Sequence, residues 1–199
     1  MNPRRVKMKK CLMAVFAVLV FAAYAGANGF LTLGYDYGIF GKNDMLGTAS
    51  SQTGYFNLDG GYLFDNGLSV SFKYDHIDME DFSVIDASLN SQNVKVVAVV
   101  PSLGVGYTVK FMDGNLLWWS TLNAGYAVSV RYRLNVTDYH AMGFAPSVTT
   151  ALYYKLGKTV YGGVDLGYRY LKVTYDDFPG KTLDLSGMFC GISIKHIFE

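Results

Sequence analysis

From Val97 to Phe111 every second residue is bulky: Val97, Val99, Pro101, Leu103, Val105, Tyr107, Val109 and Phe111. Between them lie Ala98, Val100, Ser102, Gly104, Gly106, Thr108 and Lys110. After Met112-Asp113-Gly114-Asn115 the alternation resumes, with Leu116, Trp118, Leu122, Ala124, Tyr126, Val128 and Val130 on one face. Trp119, Thr121, Asn123, Gly125, Ala127, Ser129 and Arg131 fall on the other. Successive side chains of a strand point to opposite faces, so period two on both sides of a tight turn predicts a long antiparallel hairpin.

Six further stretches share the pattern. Phe30 to Phe40 sets Leu31, Leu33, Tyr35, Tyr37 and Ile39 against Thr32, Gly34, Asp36 and Gly38. The second strand carries Phe56, Leu58, Tyr62 and Phe64 outward and ends at Asp65-Asn66-Gly67, a tight-turn signal. A third puts Leu68, Val70, Phe72 and Tyr74 opposite Ser69, Ser71, Lys73 and Asp75. Strand six shows Phe144, Pro146, Val148, Leu152 and Tyr154, and strand seven Val160, Val164, Leu166, Tyr168 and Tyr170. In the last strand Leu183 and Leu185 sit on one parity, and Met188, Cys190, Ile192 and Ile194 on the other. A bulge at Ser186-Gly187 would reconcile them. Polar loops are expected at Gly41 to Gln52, Ile77 to Lys95, Arg133 to Met142, and through Asp176-Asp177. Eight strands, with short turns at every second connection and longer loops at the others, is the pattern of an outer-membrane barrel.

The amino terminus follows a different rule. Arg4, Arg5, Lys7, Lys9 and Lys10 precede an apolar run from Leu12 to Ala25, and small residues follow at Ala25-Gly26-Ala27. A basic segment, a short apolar stretch and an A-x-A site predict a cleavable secretory signal peptide over 1–27, leaving 199 − 27 = 172 residues, 28–199, as the barrel. The run is shorter than the ~20 residues of a membrane-spanning helix.

Composition bears on which face meets which solvent. Lys+Arg number 17 and Asp+Glu 16, so no basic footprint for nucleic acid exists. Charged residues make up 17% of the chain, below the ~25% of ordinary soluble domains. A soluble ligand-carrying barrel would show Lys, Glu and Asp on its outer face. Here the slender face is Gly, Ser, Thr and Ala, which suits a crowded lumen. The bulky face is then left for lipid. Aromatic girdles are expected from Tyr62, Phe64, Phe111, Trp118, Tyr154 and Phe198 at the short-turn side. Tyr37, Tyr74, Tyr132 and Tyr170 serve the long-loop side. Asp36, Asp59, Asp75 and Asp165 would share the lumen with Lys73, Arg131, Arg169 and Lys195, as a plug of ion pairs. Of the two cysteines, Cys11 precedes the apolar run, so lipidation is not indicated, and Cys190 reads as a small buried hydrophobe.

The chain resembles the small outer-membrane β-barrel family that includes the transmembrane domain of outer membrane protein A and outer membrane protein X. The likeness spans Asn28 to Glu199 and rests on architecture and on the final strand, Gly191-Ile192-Ser193-Ile194-Lys195-His196-Ile197-Phe198. Such barrels end in a terminal aromatic read by the insertion machinery, whereas here Glu199 follows Phe198. The resemblance implies an all-β, eight-stranded, up-and-down transmembrane barrel, monomeric, in the bacterial outer membrane. Its implied partners are membrane lipid, lipopolysaccharide, and a host or envelope surface partner at the outer loops. Because members of this family differ in role, fold alone does not fix function.

Candidate chemistry is sparse. Some barrels of this size modify lipid A, which needs a His beside a carboxylate and a Ser. The histidines are His76, His140 and His196, and no spacing among them resembles a triad. The acidic segments Asp78 to Asp86 and Asp176-Asp177 match no calcium loop. Asn135-Val136-Thr137 matches a glycosylation acceptor, which carries little weight in a bacterial protein. No catalytic, cofactor or metal residue is therefore assigned. The expected role is structural or surface-interacting. The alternatives are a narrow conduit for small hydrophobic molecules and a lipid A-modifying enzyme tested at His76 and His140.

Overall fold

A computed structural model describes residues 28–40, 52–85, 91–134, 137–177 and 181–198. The alternating stretches form β1 (Gly29–Phe40), β2 (Gln52–Leu63), β3 (Leu68–Ile85), β4 (Ser91–Phe111) and β5 (Leu116–Leu134). These are followed by β6 (Thr137–Phe144), β7 (Ser147–Lys155), β8 (Val160–Arg169), β9 (Lys172–Thr174), β10 (Thr182–Asp184) and β11 (Gly187–Ile197). Each strand pairs antiparallel with its neighbour, β1 with β11 and β4 with β5, so the main sheet closes on itself. Strands β6 and β7 both pair with β5 and occupy one position in the wall, which makes a cylinder of eight. The break between them falls at Pro146, which has no N–H for the ladder. Its carbonyl still accepts from the Tyr170 amide at 2.9 Å.

The short turns are as the sequence reads. Gly67 adopts φ +85°, a left-handed conformation that Asp65-Asn66-Gly67 supplies without strain. At the other end three expectations need correction. The supposed loop Ile77 to Lys95 is mostly strand: β3 and β4 run on as a hairpin well past the rest of the wall. Arg133 to Met142 is likewise β-structure, because β6 continues the ladder of β5 down to Leu134↔Thr137. In both, charged residues interrupt the apolar pattern without interrupting backbone pairing. The signal segment, Cys11, the loop 41–51, Asp86 and Asn135-Val136 lie outside the described residues.

A bulge changes one face assignment. In β5 the register against β4 shifts between Val99↔Ser129 and Ser102↔Gly125, and against β6 between Ala127↔Gly143 and Val130↔Ala141. Both shifts put the extra residue on β5, and an extra residue inverts the parity of everything beyond it. Val130 and Tyr132 therefore point inward and are buried, and Arg131 leaves the lumen. Tyr132 is accordingly not part of an outer girdle. At β10–β11 the opposite holds: no parity change is needed. Leu183, Leu185 and Phe189 share one inward parity, and both leucines are fully buried. The expectation assumed that bulky apolar residues always face out, and here they fill the interior. Cys190, read as a buried hydrophobe, is on the outward parity and exposed.

Candidate functional site

The interior is stacked in three layers. At the short-turn end Phe30, Leu63, Leu117, Trp119, Ala151, Tyr153 and Tyr161 form an apolar cluster. At the long-hairpin end a larger cluster includes Phe40, Ile77, Val94, Val96, Val130, Tyr132, Leu171, Val173, Tyr175, Leu183 and Leu185. Between them sits the polar layer that the sequence places there. Arg169 Nη2 donates to Asp75 Oδ2 at 2.6 Å, with both side chains 1% exposed, and Lys73 Nζ lies 3.4 Å from Asp75 Oδ1. The Asn57 amide donates to Asp36 Oδ2 at 2.7 Å. Ser193 donates to the Tyr153 hydroxyl at 2.9 Å, which in turn donates to Asp165 Oδ1 at 3.2 Å.

Cations in this layer also lean on aromatic faces. Arg169 stacks over Tyr55, 4.8 Å from the ring centre, and over Phe189 at 5.6 Å. Lys195 Nζ sits 3.6 Å from the Trp119 ring and 4.1 Å from Phe30. A desolvated cation against such faces gains ~2 kcal/mol, which helps an ammonium remain in an interior that offers it little water. A cavity of about 30 Å³, bordered by Thr32, Asp59, Asn123, Tyr153, Asp165 and Lys195, has room for water but not for a solute path.

The aromatic box around Lys195 and the upper apolar cluster were not foreseen. The second had a legible signal: Leu171, Val173 and Tyr175 continue the inward parity of Asp165, Gly167 and Arg169 through a segment read as loop. All three are buried, the Leu185 amide donates to the Leu171 carbonyl at 2.8 Å, and the Tyr175 hydroxyl to the Val130 carbonyl at 3.3 Å.

The outer wall is apolar throughout its middle. Leu33, Phe56, Leu103, Leu122, Val148, Val164, Ile192 and Ile194 are all exposed. Trp118 and Val128, outward on β5, are 128 − 118 = 10 residues apart. At ~3.3 Å per residue and a tilt of ~40° that is a band about 25 Å tall, the height of a hydrocarbon layer in membrane barrels. Polar groups on this face satisfy each other: the Trp118 indole donates to Thr150 Oγ1 at 2.7 Å, and Ser120 Oγ lies 3.1 Å from the same oxygen. Charges reappear above the band. Lys95 pairs with Asp78 at 3.0 Å and Lys172 with Asp184 at 2.9 Å. Arg133 grips Asp138 at 2.6 and 3.0 Å, with Arg131 at 3.7 Å. The Arg133 hydrogen bond, aided by the charges of Arg131 and Arg133, holds the Asp138 carboxyl below its usual range.

The three histidines stay on separate strands. His76 is outward on β3, opposite Phe56 and Val99; His140 is exposed on β6 opposite Arg131. His196, on β11 at the short-turn end, bonds Thr159 Oγ1 at 2.9 Å and stacks edge-on against Phe198. Asp176 and Asp177 are exposed, and among the described residues no group of three His, Cys, Asp or Glu is placed to hold a metal ion.

No family model and no curated protein sequence matches the chain. Solved structures do match in fold. Neisserial surface protein A superposes with a TM-score of 0.63 at 10% identity, over 86% of this chain and 98% of its own. The outer membrane protein OprG of Pseudomonas aeruginosa gives 0.57 at 12% identity, over 88% and 99%. The N-terminal β-barrel domain of OprF from the same organism gives 0.56 at 10%, over 87% and 99%. The chain thus has the fold of the small eight-stranded outer-membrane barrels, along nearly the whole length of those structures.

Proposed function

We propose that this chain is an integral protein of the bacterial outer membrane, exported by removal of residues 1–27. Its role is structural or surface-interacting, and not catalytic. The observation that carries the reading is the pairing of an uncharged 25 Å wall with an interior filled from end to end among the described residues. Nothing but hydrocarbon stabilises such a wall, and nothing but side chains fits such a lumen. The short-turn end and both termini face the periplasm. The β3–β4 and β5–β6 hairpins and the β9–β10 segment then project outward, where their ion-paired rims meet lipopolysaccharide and whatever surface partner the protein engages. The final strand is the segment offered to the insertion machinery, and the barrel acts as a monomer.

Two measurements test this. The folded protein is expected to migrate differently on gels with and without boiling. It is also expected to pass no steady current in planar bilayers, since the polar layer lies between two apolar clusters. Identical migration removes the membrane reading. Robust conductance replaces it with the conduit. Shortening the β3–β4 hairpin should alter surface adhesion or envelope resistance while leaving the barrel folded.

A further inference from the structure

One region of the outer wall is not convex. A groove of about 760 Å³ crosses β3, β2, β1, β11 and β8. Strand register explains its shape. Its upper wall is the row His76–Phe56–Tyr35–Ile192, and its lower wall the row Tyr74–Leu58–Leu33–Ile194, ending at Gly162. The row between them, Asn57–Gly34–Ser193–Gly163, points inward and contributes only its backbone as floor. Five strands span four gaps of ~4.8 Å, so the groove is about 19 Å long.

The groove also slants. Counted from the short-turn end, His76 stands 76 − 67 = 9 residues above its turn, Phe56 64 − 56 = 8, Tyr35 35 − 28 = 7, and Ile192 198 − 192 = 6. A membrane strand has ~9–11 residues. The His76 end therefore lies at the outer interface, and the Gly162 end lies within the hydrocarbon. Its lining is almost wholly apolar, and the one ionisable side chain, His76, is at the interfacial end.

We infer that this groove seats one acyl chain of a phospholipid, its headgroup beside His76 and its chain descending between the two rows to Gly162. The inference rests on the membrane reading above. Polar-at-the-top and apolar-below is the amphiphilic profile of a lipid lying along the wall. A volume within the ~300–1,000 Å³ of specific ligand sites distinguishes it from the bulging wall elsewhere. Since lipid tails are as apolar as leucine, what holds this chain is packing against Phe56, Tyr35, Leu33 and the isoleucines, not exclusion from water.

The test uses the mature chain folded in detergent, with phosphatidylglycerol added and bound lipid counted by native mass spectrometry after detergent exchange. The wild type should retain one lipid. Gly162→Phe, whose new Cβ meets only the flexible end of Leu156, and Leu33→Trp both fill the groove and should weaken retention at least about tenfold. Ala124→Phe, exposed on β5 across the barrel, should leave it unchanged. Equal retention in the two filled variants, or equal loss in Ala124→Phe, overturns the inference. A wild-type barrel that inserts and shifts on heating yet keeps no lipid overturns this inference alone. A chain that does not insert overturns the membrane reading beneath it.

Discussion

Asp75 is the most heavily committed residue in the lumen, and its removal gives the sharpest test of the interior. It meets Arg169, 94 residues away in the chain, at 2.6 Å, and Lys73 at 3.4 Å, with Arg169 and Asp75 each 1% exposed. Asp75→Ala leaves two cations without their shared carboxylate in an interior they cannot leave. Breaking a buried pair from one side costs ~3–5 kcal/mol. Arg169→Met should cost less, because Lys73 still faces the carboxylate and the methionine can pack against Tyr55 and Phe189. The double variant should lose less than the sum of the singles, with a coupling of at least about 1.5 kcal/mol. The assay is equilibrium urea unfolding from phospholipid vesicles, followed by fluorescence of outward Trp118 and inward Trp119. Additive losses, or a loss below ~1 kcal/mol for Asp75→Ala, the range of an exposed pair, would refute a dry, ion-paired interior.

Leu122→Arg places a charge at mid-height on a wall position 62% exposed; in lipid it should destabilise by about 2–4 kcal/mol, and a stability unchanged from wild type would contradict the membrane-facing wall. Asp138 has a lowered folded pKa, so its ion pair contributes stability above the ordinary 3.8 that is lost as pH falls through the folded value. A carboxyl titration by NMR should move upward in Arg133→Gln, and no movement would remove Arg133 as the cause. Gly61→Ala puts a Cβ into the Val70 carbonyl and the Ser71 backbone, so it should lower folding yield at the β2–β3 pair. Gly114→Ala, where no atom lies within 4 Å, should suffer only the strain of φ +83°.

Strand identity and face were legible wherever a side chain's size tracked its surroundings. Leu103, Val105 and Tyr107 point out, and Ser102, Gly104 and Thr108 point in, as the alternation reads. That logic failed above the membrane band. There the interior turns apolar, so Val96, Leu171 and Leu185 look like wall residues but are core. It failed again beyond the β5 bulge, where one extra residue exchanged the places of Val130 and Arg131. No local signal in Tyr126-Ala127-Val128-Ser129 marks it, since the shift is defined only by what β4 and β6 offer across the ladder.

The sequence by itself determined the eight-fold alternation, the lipid-facing band and the complement of charges in the lumen, because period two and residue size are local properties of a strand. Only the tertiary structure decided which charges meet. Asp75 finds Arg169, and Lys195 finds Trp119 and Phe30, through closure of the sheet, which sets register between strands far apart in the chain. The slanting groove at His76 is of the same kind: its walls are rows across five strands, and a row exists only once the cylinder is shut.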